Sequence, residues 1–178
     1  MQVGLKTMNR PKEEEYAPFY QGYIAAVPEG DIIPMLQTQQ ESFMCVLNNL
    51  STADLFYSYS DNKWTVAQVL GHIIDTERLM SSRALQIARG EIQELPGFDQ
   101  DEYVNLGNFE KRSVYSFSQE FQGLRMSNIA LFSSFDENDL SKKGVASGVI
   151  FTVRSLVFIT AGHLAHHLNI LSEKYNIQ

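Results

Sequence analysis

Three of the four histidines in this 178-residue chain stand in one stretch, FTVRSLVFITAGHLAHHLNILSEKY, residues 151–175. Its apolar residues recur at helical spacing. At about 100° per residue, Val153, Leu156, Val157, Leu164, Ile170 and Leu171 share one stripe. His163 and His167 fall inside that stripe one turn apart, so both imidazoles can reach a single ion from the same side. His166 points roughly 120° away, although its i, i+3 spacing keeps the pair His163 and His166 as an alternative. Neutral imidazole suits Zn(II), Ni(II), Fe(II) or Co(II), and a catalytic site usually has three protein ligands and one open position. The remaining histidine, His72, lies near the edge of the apolar stripe of a second helical stretch, residues 65–89. If those two helices are neighbours, His72 completes a triad.

The rest of the chain supplies elements that position these residues. Residues 1–30 are broken by Pro11, Pro18 and Pro28 and carry Tyr16, Phe19, Tyr20 and Tyr23, which suggests a segment wrapping over the domain with its rings tucked in. Packing is the plainer role for these rings, with Tyr20 and Tyr23 as candidate pocket liners. Residues 31–178 then read as one domain. A first helix runs from the N-cap Asp31 to about Leu50, with Pro34 in its first turn and Met35, Leu36, Phe43, Val46, Leu47 and Leu50 facing the core. Residues 51–63 read as a loop with Leu55, Phe56 and Tyr57 packed down.

Thr65 and Gln68 have the spacing of a capping box, and Trp64 can staple the entry of the second helix, which ends at Gly90. Its stripe contains Val66, Val69, Ile73, Met80, Ala84 and Ile87. Glu77 lies close to that stripe, so a partner such as Arg83 or a ligand is required. An internal Glu–Arg pair is the plain expectation and a catalytic role the sharper one. Asp75, one turn after His72, is a further candidate, able to orient a ligand imidazole or to take a proton.

Residues 91–112 form a long, acid-rich connection with a turn at Pro96 and Gly97, of the kind that lies over a pocket. The spacing of Asp99, Asp101 and Glu102 misses the EF-hand pattern, so a solvated loop is expected there. A third helix from Ser113 to Phe135 carries Val114, Phe117, Phe121, Leu124, Ile129 and Phe132. A hairpin-like piece around residues 144–151 precedes Thr152, the cap of the last helix. Four amphipathic helices read as an all-α, up-and-down four-helix bundle with an extended second crossover.

Composition closes off several function classes. A net charge of −7 without a basic cluster disfavours nucleic acid. The single Cys45 precludes an internal disulfide and is expected as a small core residue. No apolar run is long enough for a membrane span, so the chain reads as cytoplasmic. GxSxG, P-loop and GxGxxG patterns are absent, and Leu164 stands where a HExxH peptidase needs glutamate.

The segments KWTVAQVLGHIIDTERL, RALQIARGE, LPGFDQDEY and AGHLAHHLNIL together resemble the DinB-like superfamily of four-helix bundles, over most of the chain from about Gly30 onward. That superfamily includes bacillithiol-transferase and mycothiol-dependent maleylpyruvate-isomerase branches. The resemblance implies a divalent metal on His72, His163 and His167, nickel or zinc ahead of iron or manganese. It implies a transferase activating a low-molecular-weight thiol, or a hydrolase activating water, for attack on a small electrophile. A metal-binding or stress-related bundle without turnover is the alternative, and a homodimer built on the aromatic wrap and helix faces is compatible with both.

Overall fold

A computed structural model describes residues 8–178; the first seven residues of the expected wrapping segment lie outside them. Four long helices form the bundle: α2 (Ile32–Asn49), α3 (Val66–Ala88), α5 (Val114–Ser134) and α7 (Val153–Tyr175). Of three short ones, α1 (Gln21–Ala26) lies in the N-terminal segment, and α4 (Gln100–Leu106) and α6 (Glu137–Ser141) lie in connections expected to be irregular. Side-chain caps fix the helix starts. Asp31, Thr65, Ser113 and Thr152 each accept from a backbone N–H of the first turn, and Thr65–Gln68 and Thr152–Ser155 are reciprocal capping boxes. Asp99, one of the acids considered for calcium, caps α4 by accepting from the N–H groups of Asp101 and Glu102.

The extended crossover has a topological consequence. It carries the chain back to the end where α3 began, so α3 and α5 run parallel, where a strict up-and-down order would make them antiparallel: Phe117 and Phe121 of α5 cluster with the first half of α3, and Phe132 with Met80 and Ala84 further along it. α7 runs antiparallel to α3 and parallel to α2: Tyr175 reaches Trp64, and Asn49 reaches Gln178. Around the bundle the order is α2, α5, α3, α7, with α3 and α7 in close contact as the triad requires.

The antiparallel strands β1 (Lys143–Ala146) and β2 (Val149–Thr152) form the expected hairpin before α7, with Ser147 in the left-handed region at its tip. Leu95 of the crossover bonds to this hairpin through Val145 and Ser147. The N-terminal segment is tied down at two points. Arg10 donates to the carbonyls of Ile24 and Val27, and Glu15 accepts from the Thr152 hydroxyl and pairs with Arg154 at the start of α7.

Two apolar clusters make up the core. One surrounds the first half of α7, from Val153 to Ala161; the other surrounds the first half of α3 and the second half of α7. A polar belt separates them, holding the three histidines and a network of Glu77, Arg125, Asn128 and Gln39. Three expected core positions lie outside. Cys45 is exposed, because Phe43 and Leu47 set the buried face of α2 and Cys45 stands halfway between them on the other side. Phe56 and Tyr57 are also exposed, and only Leu55 of that turn is buried.

Candidate metal centre

α3 and α7 cross at the polar belt, and the crossing brings His72, His163 and His167 together. Their candidate ligand atoms all lie within 4.8 Å of one another. Nε2 of His72 is 2.9 Å from Nε2 of His163. Two nitrogens bound at 2.0–2.1 Å to one ion, at tetrahedral or octahedral angles, would stand about 2.9–3.4 Å apart, so the spacing suits a shared ion. His167 Nδ1 is buried without a hydrogen-bond partner among the described residues. His166 is exposed on the outer side of α7, with its ring against Tyr23.

Burial sets the protonation state of the triad. Desolvation, then the neighbouring His166, brings the His72 pKa down to about 4. Burial, then His72 and His166, brings that of His167 down to about 3. His163 lies well below its ordinary value, from burial first and its imidazole neighbours second. All three are therefore neutral near pH 7, the state in which imidazole lone pairs bind metal.

The surroundings hold the rings in place. Trp64, immediately before the α3 cap, lies with its ring centroid 4.8 Å from that of His72, and the Tyr175 hydroxyl fixes its backbone by donating to the Trp64 carbonyl. Tyr23 of α1 lies 5.5 Å from His163, ring to ring. A glycine precedes two of the three histidines. A Cβ on Gly71 would overlap the Phe109 ring, and one on Gly162 would overlap the Tyr23 backbone. This repeated Gly-His pair is a sequence signal for close approach that helical periodicity does not register.

Neither carboxylate candidate joins the triad. Glu77 does form the internal pair expected of it, but with Arg125: Nε donates to Oε1 at 2.7 Å, Nη2 to Oε2 at 2.6 Å, and Asn128 adds a third bond. It stands about 140° round α3 from His72, toward α5. Arg83, the partner suggested by proximity in sequence, lies elsewhere, with Pro96 and Ser147. Asp75 is half-buried and makes no hydrogen bond to an imidazole among the described residues. Its pKa is raised by burial and then by Glu120, which places its environment on the α5 side.

Two cavities flank the triad. One, of about 240 Å³, is lined by His72 and His163 together with Tyr20, Tyr23, Phe98 and Arg83, so both candidate tyrosines border it. The other, of about 270 Å³, reaches His167 beside Trp64 and Tyr175. The arrangement offers three neutral nitrogen donors with space on either side.

The fold is shared with known proteins. YfiT from Bacillus subtilis, described as a probable metal-dependent hydrolase with an unusual four-helix bundle topology, superposes with a TM-score of 0.72 at 16% identity, over 85% of this chain and 91% of its own. A mycothiol-dependent maleylpyruvate isomerase superposes with a TM-score of 0.65 at 9% identity, over 81% of this chain and 61% of that one. No curated protein matches by sequence. The model of the DinB superfamily matches residues 35–171, a span that includes all three buried histidines, and the chain belongs to that family.

Proposed function

We propose that the chain holds one divalent metal ion on His72, His163 and His167 and carries out transfer or hydrolysis on a small electrophilic molecule, with a low-molecular-weight thiol or water as nucleophile. What carries this proposal is the convergence of three buried, neutral imidazoles, two of which line an open cavity. Bound there, a divalent ion would supply Lewis acidity and lower the pKa of a coordinated water or thiol.

The chain's own residues do the rest. Burial keeps protons off the donor nitrogens near pH 7. Trp64 and Tyr23 pack against His72 and His163 and hold the rings in position. The cavity beside them admits a small molecule. The all-nitrogen donor set suits nickel or zinc ahead of iron or manganese. The hydrolase description of YfiT and the mycothiol dependence of the isomerase support water and thiol, respectively, as nucleophiles.

Elemental analysis of untagged protein purified without chelator, with His72→Ala alongside, tests the metal. About one equivalent of zinc or nickel in the parent and little in the variant is expected. No uptake after reconstitution with Zn, Ni, Mn and Fe(II) would overturn the proposal. Turnover of electrophiles with added thiol or with water alone, lost on chelation, then tests catalysis.

A further inference from the structure

The cavity bordered by His72 and His163 has a second polar end. His72, Thr76, Met80 and Arg83 all line it, and their spacing of i, i+4, i+8 and i+11 makes them one continuous stripe of α3. Arg83 is only 4% exposed, yet it meets no carboxylate among the described residues. Its Nη2 donates to the Pro96 carbonyl at 2.8 Å and to Ser147 Oγ at 3.1 Å, while Nη1 reaches, among the described residues, only the Met80 sulfur at 3.9 Å. The other two buried arginines differ: Arg125 is paired with Glu77, and Arg154 with Glu15 and Glu137. A buried guanidinium without a counter-charge is costly, and it is expected where an anion arrives from outside.

The rest of the lining agrees. Although the chain carries a net charge of −7, the cavity wall contains no aspartate or glutamate among the described residues. Between its two ends the Thr76 hydroxyl is buried without a partner among the described residues. Tyr20, Phe98 and Ile159 supply apolar wall, and the Arg83 guanidinium carbon lies 5.7 Å from the Phe98 ring centroid. The volume of about 240 Å³ is below the roughly 300–1,000 Å³ of sites for drug-sized ligands, so the occupant is small.

We infer that Arg83 is a carboxylate-binding subsite and that the cavity takes a small, elongated organic acid. The carboxylate sits at Arg83, the apolar middle lies against Tyr20 and Phe98, and the opposite end meets the histidines. One guanidinium matches a planar carboxylate, whereas phosphate sites typically gather backbone N–H groups and several cations. The orientation toward the triad rests on the proposed metal function. The subsite itself does not.

The test is calorimetric titration of 3-phenylpropionate and its neutral amide, 3-phenylpropanamide, into zinc-free and zinc-loaded protein. In the zinc-free parent the acid should bind about tenfold more tightly than the amide, the advantage of a charge-assisted hydrogen bond. Arg83→Gln should abolish that preference, and Arg89→Gln, at an exposed position of the same α3 end, should keep it. The acid–amide comparison is made on the parent, so it stands even if Arg83→Gln fails to fold. Equal binding of acid and amide, or a preference that survives Arg83→Gln, would overturn the inference. Zinc uptake in the same samples separates the two proposals: normal uptake without acid preference sinks the subsite alone, and acid preference without uptake supports the subsite and sinks the metal alone.

Discussion

Gly162 packs directly against the backbone of Tyr23, and a Cβ there would stand 2.0 Å from the Tyr23 carbonyl oxygen. The obstacle is main chain and cannot rotate away. This contact seats α1 on α7 one residue before His163 and brings the Tyr23 ring against that imidazole. Gly162→Ala should therefore lift α1, with a loss of about 1–3 kcal/mol in stability. Thermal melts and limited proteolysis check it: the midpoint should fall, and cleavage near residues 19–26 should quicken. A variant as stable and as resistant as the parent would show that α1 does not need this close seat.

The four histidines divide sharply. His163→Ala and His167→Ala should each empty the centre while leaving the helical circular-dichroism signal largely intact, because each removes a buried donor without breaking a helix. His166→Ala should lose little metal, since that ring is exposed and outside the cluster. Metal content by mass spectrometry reads the difference. Equal loss in all three variants would return His166 to the ligand set.

Much of this site was legible in the sequence because its signals are local. The i, i+4 pair, the helix caps and the amphipathic stripes each depend on residues within a turn or two of one another. What stayed hidden depends on distant approach. Glu77 selects Arg125, 48 positions away, over Arg83 on its own helix, since α5 packs against that side of α3. The buried face of α2 excludes Cys45 by a rotation that residue type does not reveal. α4 and α6 are short helices within turn-rich sequence, held by the caps Asp99 and Asp136. Ser147 and Phe98 border the cavity only because Leu95 pins the crossover to the hairpin.

Acid should destabilise the metal-free protein earlier than ordinary carboxylate titration would. The unfolded chain takes up protons on histidine near pH 6.5, whereas folded His72 does so only near 4 and folded His167 near 3. Stability is fully present above pH 6.5 and falls as pH drops through the window below it, where the unfolded state binds more protons. Between pH 6.5 and 5, where carboxylates contribute little, the loss should reach on the order of 1–3 kcal/mol. Urea midpoints across that range measure it, and His72→Gln should flatten the slope. A parent whose midpoint is flat from pH 7 to 5 would show that the imidazoles take up protons without unfolding the chain.

The Glu77–Arg125 pair connects to α7 through Gln39 without touching the three histidines. Arg125 is fully buried, bonded to Glu77 through two nitrogens, and its Nη1 also donates to Gln39 Oε1 and the Leu36 carbonyl. Gln39 in turn donates to the carbonyl of Ala161, two residues before His163, so the network ties α3, α5 and α2 to the turn of α7 that carries His163. Arg125→Met leaves a buried carboxylate without its counter-charge and should cost about 3–5 kcal/mol. Glu77→Leu combined with Arg125→Met removes both charges and should recover a substantial part of that loss. Urea denaturation of the parent, Arg125→Met and the double variant measures the recovery. If the pair also positions α7, the double variant should bind zinc more weakly than the parent even where its stability returns, because Gln39 has lost its partner. Full recovery of both stability and zinc affinity would mean that the network balances charge and nothing more.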